Sequence, residues 1–231
     1  MNGAFARGGS PTNFIARAEA EFQRAQKQFQ SDTNNFASAW QFGRACFDLA
    51  DSMENNDRHA DIARQGIAAS RLAVSARPKS VEGHYYLAMD LGALAETETF
   101  GALKLVKEME REFKTAVGLD EKFDFAGPDR NLGLLYRDAP GWPASIGSKR
   151  KAREYLERAE KIAPDYPENI LNLAESCLNW GDPKRARSEL DALDSLWPQA
   201  QKKFSGEKWE KDWNDWTKRR EAAQQKLDEK R

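Results

Sequence analysis

Apolar side chains recur every three or four residues along most of the chain, and no stretch alternates with a period of two. Ile15, Ala18, Phe22, Ala25 and Phe29 fall on one face of a helix that the pattern starts at Thr12. The polar run SDTNN at 31–35 ends that helix and offers an Asn or Asp as the next N-cap. No segment rich in Val, Ile and Thr alternates in the way a half-buried strand would, so the pattern predicts helices and no sheet. The small, Gly-rich residues 1–11 predict a mobile tail.

The apolar pattern also repeats over longer distances. With Pro78, Glu121, Pro164 and Pro198 as register marks, Ala73, Ala116, Ala159 and Leu193 stand five residues before each. Ser70, Phe113, Leu156 and Leu190 stand eight before, and Gly66, Met109, Ala152 and Ala186 stand twelve before. These offsets put small and apolar side chains on one helical stripe. After the marks, Leu87, Ala88 and Leu91 recur as Leu173, Ala174 and Cys177, with Leu132, Gly133 and Tyr136 shifted by two. Trp40, Gly43 and Phe47 form the upstream equivalent. Each unit therefore reads as a helix, a break and a second helix, too small to bury its own apolar face without a neighbour. The last unit is the most regular: Gly181 ends one helix, Asp182 caps the next, and Pro183 takes its first position.

The pattern from Leu173 to Pro198, with its 34-residue spacing from Pro164 to Pro198, resembles the tetratricopeptide repeat (TPR) family. The resemblance covers roughly residues 36–200 and implies an all-α, right-handed superhelix of about four helix pairs. An extra N-terminal helix and a C-terminal capping helix complete that α-solenoid. The expected organisation is a tail at 1–11, repeats over 12–200 and a cap at 201–231. Residues 127–175, with Gly127, Gly133, Pro140, Gly147 and Ala152, also resemble the T component of periplasmic TRAP transporters. That likeness implies an exported accessory protein working beside a solute-binding protein, and members of that group are usually lipid-anchored through an N-terminal Cys. No Cys precedes Cys46. The transporter likeness points to the periplasm; the lack of an apolar leader in the opening residues points to the cytoplasm.

Composition narrows the chemistry. Lys and Arg number 36 against 37 Asp and Glu, so no basic excess marks a nucleic-acid binder. No apolar run is long enough to cross a bilayer. Cys46 and Cys177 read as buried thiols packed like small apolar residues. His59 and His84 have no Cys or His at metal-ligand spacing and read as surface or packed histidines. No phosphate loop, dinucleotide fingerprint or nucleophile elbow occurs, so neither an enzyme nor a cofactor is expected. Glu108, Glu110 and Glu112 read as a solvated face. Lys149, Arg150, Lys151 and Arg153 read as a salt-bridged face, with an anion or acidic-peptide patch as the alternative.

Three features remain as candidate binding elements. The loop Asp138–Gly147 carries two prolines and Trp142, which either plugs the groove between repeats or lids a ligand groove. Trp209, Trp213 and Trp216 share one helix face and either cap the solenoid or dock a partner. In the TPR family the first helix of each unit lines the concave face. Carried over, that stripe holds Gln41 and Ala45; Tyr85 and Met89; Arg130, Leu134 and Arg137; Leu171 and Glu175. The Lys and Asn set with which some family members grip a C-terminal carboxylate is missing from these positions. Arg130 and Arg137 could still contact an anion, or pair with Asp129, Asp138 or Glu175. The expected function is a non-catalytic scaffold that takes a protein or peptide on its concave face. The alternative is a transport accessory binding a small apolar ligand or a solute-binding protein.

Overall fold

Ten α-helices follow one another in the computed structural model, which describes residues 11–53, 57–98 and 101–229. They are α1 (Pro11–Ser31), α2 (Phe36–Ala50), α3 (Asp57–Ala76), α4 (Val81–Thr97) and α5 (Ala102–Leu119), then α6 (Phe123–Asp138), α7 (Lys149–Ile162), α8 (Pro167–Asn179), α9 (Pro183–Lys203) and α10 (Glu210–Asp228). A single 3-10 turn, Glu207–Trp209, leads into α10. Of the expected tail, residues 1–10 lie outside the described residues, and Pro11 opens α1. Among the described residues there is no strand, only an isolated bridge between Gly141 and Gly147.

The helices pair as α2–α3, α4–α5, α6–α7 and α8–α9, with α1 packed on α2 and α10 packed on α8 and α9. First helices touch first helices, α2 on α4 and α6 on α8, and so form an inner layer. Local chemistry sets the boundaries. Asn35 accepts from the Ala37 and Ser38 amides, Ser148 from Lys151, and Asp182 from Arg185. Gly181 adopts φ +75° where α8 ends.

The repeat stripe is the core. Ala73, Ala116, Ala159 and Leu193 are fully buried, as are Ala152, Leu156 and Ala186. Leu87, Ala88 and Leu91, Leu132 and Tyr136, and Leu173, Ala174 and Cys177 face them from the first helices. At Gly133 an added Cβ would sit 2.8 Å from Leu156 Cγ, so α6 and α7 approach through a position only glycine fits. Cys46 and Cys177 are free and buried. The face of α1 read from sequence buries Phe22 and Ala25, while Ile15 at its start stays exposed.

Two details depart from the periodic reading. Pro198 marks no break: α9 runs through it to Lys203 and so carries Ala200 and Phe204 into the C-terminal core. The solvated face expected at Glu108, Glu110 and Glu112 is interrupted, because Glu112 is buried against His84, whose Nδ1 lies 2.6 Å from its carboxylate. His84 Nε2 meets the Pro78 carbonyl at 2.9 Å, which ties α4 and α5 to the preceding turn.

Candidate functional site

The inner layer is organised around a strained turn at the start of α6. Asp124, Phe125 and Ala126 all have left-handed backbones, with φ of 50°, 55° and 63°. None is glycine, and each such residue costs about 1–2 kcal/mol. The turn is held from two sides. The buried Arg130 guanidinium donates to the Asp124 and Phe125 carbonyls at 3.2 and 3.1 Å, to the Asp124 carboxylate at 3.0 Å, and to Asn169 Oδ1 at 3.3 Å. Asn169 Nδ2 donates to the Phe125 carbonyl at 3.0 Å. Phe125 stacks on Tyr166 at 4.6 Å, and Arg130 lies over the same ring. The buried Tyr85 hydroxyl donates to Asp124 Oδ2 at 2.6 Å and accepts from Asn131 at 3.0 Å.

The stripe read from sequence therefore divides. Tyr85, Arg130, Leu171 and Ala45 are buried in the fold's own contacts. Gln41, Met89 and Leu134 are partly accessible. Arg137 pairs with the adjacent Asp138 at 2.6 Å and reaches Ser176 Oγ at 3.4 Å. Glu175 receives Arg219 of α10 at 2.7 and 3.0 Å, and the same guanidinium bonds Asn172 Oδ1 at 2.6 Å. Trp142 does not plug the groove between repeats: it is 88% exposed. Trp209, Trp213 and Trp216 pack inward on the C-terminal core, with Trp216 buried, so this face caps the stack.

Sequence reasoning missed what α10 does beyond capping. Arg17 of α1 bonds Glu210 at 2.9 Å and the Glu207 carbonyl at 3.3 Å, and Lys211 pairs with Asp51 just after α2. The last helix thus reaches back to α1 and to the end of α2. Charged groups gather near the start of α10: Arg44 and Asp48 from α2, Asp124 from α6 and Glu168 from α8, beside its own Lys211 and Asp212. Burial pushes the Asp48 carboxyl up to about 6, against the pull of Arg44. Burial, with Glu168 next, pushes Asp212 up to about 7. Contacts between residues 160 to 193 positions apart leave no periodic trace, so no spacing rule could have found them.

Among the described residues no set of His, Cys, Asp and Glu is arranged to hold a metal ion, and no helix is long and apolar enough to cross a membrane. The architecture matches solved structures. The thermophilic TPR protein TTC0263 of Thermus thermophilus superposes with a TM-score of 0.67 at 16% identity, covering 93% of this chain and 98% of its own. Two structures of MamA give TM-scores of 0.57 and 0.54 at 16% and 14% identity, covering 86% and 85% of this chain and 99% and 94% of theirs. This is a TPR-like α-solenoid. The family model described as Regulator of microtubule dynamics protein 1-3 matches residues 15–126 of the solenoid, just under half of the chain. No curated protein matches it in sequence.

Proposed function

We propose that this TPR-like solenoid is a non-catalytic interaction scaffold that takes an extended segment of a partner protein on its inner face. The observation that supports this most directly is the mixture of accessible side chains along the inner layer of first helices. Met89 and Leu134 are partly accessible there while packing on the core, and Arg44, Asp48 and Asp124 offer charge of both signs. An extended chain can use such a mixture, with apolar side chains giving affinity and charges setting register. The match to a family of regulators over residues 15–126 suits an interaction role. The transport-accessory alternative, drawn from the likeness of residues 127–175 to a TRAP-transporter component, finds no support among the structural matches.

The test must avoid Tyr85 and Arg130, which hold the strained turn together. Gln41→Ala combined with Arg44→Glu changes the accessible lining and leaves the core stripe alone. Peptide-array capture by the double variant should fall at least tenfold, with unchanged circular dichroism. Captures that survive the double substitution would reject the inner face.

A further inference from the structure

Trp142 is by far the most exposed large apolar residue among those described. Its loop is nonetheless fixed. Gly147 N–H donates to the Pro140 carbonyl at 2.9 Å, Ala144 N–H to Gly141 at 3.0 Å, and Ser148 N–H to Tyr136 at 2.8 Å. Ala139 and Ile146 pack against the central core and anchor both ends. The chain therefore spends ten residues between α6 and α7 on a rigid mount whose tip presents an indole to water. An aromatic ring of this size buries roughly 150–250 Å² when it finds a partner surface, the contribution of an interface anchor.

The helix that the loop enters is also at odds with its own stability. The first turn of α7 is Lys149, Arg150 and Lys151, with no acid. Cations at the positive end of a helix are each unfavourable by about 0.3–1 kcal/mol. Farther along, Arg153 pairs with Asp182 and Arg158 with Asp129, both at 3.3 Å, while Arg150 and Lys161 stay exposed. Arg150 meets only Glu154, at 3.5 Å on the open surface, a pair of little worth. Lys149 donates to the Trp180 carbonyl at 3.2 Å and Lys151 lies over the Tyr136 ring, and neither forms an ion pair among the described residues. A chain with a net charge of −1 thus carries this basic turn a few residues after its one outward-facing tryptophan.

We propose that the Trp142 loop and the first turn of α7 form a second docking surface, for an acidic segment of a partner protein. An apolar side chain of that segment packs on Trp142, and its carboxylates lie over Lys149, Arg150 and Lys151. Charge complementarity selects an acidic occupant. The interspersed Glu154 and Glu157 favour a narrow peptide segment, which can pass between them, over a flat anionic membrane, which cannot. The surface lies on a second helix of a pair and is independent of the inner face.

The test is fluorescence anisotropy on the full chain, with labelled twelve-residue peptides of Asp and Glu carrying two Phe. Controls replace Phe by Ala, or the acids by Lys. The acidic Phe peptide should bind, and more weakly at 300 mM than at 50 mM NaCl. Trp142→Ala should weaken it about tenfold, and Lys149→Glu with Arg150→Glu should abolish it. Gln41→Ala with Arg44→Glu, on the inner face, should change nothing. Trp142, Lys149 and Arg150 are exposed, so circular dichroism of those variants should be unaltered. Equal binding by the Lys peptide, or indifference to Trp142→Ala, overturns the proposal. So does a Trp142-dependent affinity for phosphatidylserine vesicles without peptide binding, which would assign the surface to a membrane. Trp142-dependent self-association in sedimentation, again without peptide binding, would assign it to a second copy.

Discussion

Asp90 shows how one residue can shape three helices. It is fully buried between α2, α3 and α4, and its Oδ2 accepts from Ser70 Oγ at 2.9 Å while Oδ1 has no partner. Gly66 makes room for it: an added Cβ there would lie 2.2 Å from Asp90 Oδ1. Burial raises the carboxyl well above the usual carboxylate range, so the neutral acid is the form the core accepts. The folded state therefore holds a proton that the unfolded chain releases at about pH 3.9. The resulting stability is complete below that pH and is lost as pH rises towards the folded-state value, at up to about 1.4 kcal/mol per pH unit. Asp90→Asn removes this titration with little change of shape. Urea unfolding at pH 4.5, 6 and 8 should show the variant gaining steadily on the wild type as pH rises. Parallel pH profiles would mean that Asp90 is not the titrating group. In the sequence Asp90 is one acid among the apolar residues of a helix, and no local spacing shows that its carboxyl meets Gly66 and Ser70.

At the scale of elements, the helix pairs were legible because each must bury a stripe, and the stripe is written at offsets of three and four. The turn at Asp124–Ala126 was not, since three left-handed residues without glycine break the local rule that sequence reading depends on. Their conformation is imposed by Arg130 and by Asn169, a residue supplied by the next pair. The cap was half legible. The Trp spacing showed one face, but the extension of α9 beyond Pro198 hid that Phe204 joins the same cluster. Trp216 sits among Tyr166, Phe204, Trp209 and Trp213 at ring distances of 5.0–6.1 Å. Trp216→Ala should cost about 3–5 kcal/mol. Because α10 packs mainly on the last pair, its amides should lose exchange protection while those of α3 and α4 keep theirs. Uniform loss along the chain would mean that the cap and the repeats unfold as one unit.

At the scale of the whole molecule, a stack of four pairs would normally leave its two ends apart, each contacting only its neighbour. Here Arg17 and Lys211 join them, across 193 and 160 positions. These pairs are on the surface, so removing them should change stability by less than about 1 kcal/mol. Their effect should be geometric. With spin labels on Ala20 in α1 and Thr217 in α10, both exposed, the wild type should give a narrow distance distribution. Arg17→Ala with Lys211→Ala should broaden it and shift it outward, while the urea midpoint barely moves. Salt should act the same way on the wild type, because ions screen exposed pairs. An unchanged distance distribution would instead assign the closure to the packing of α10 on α8.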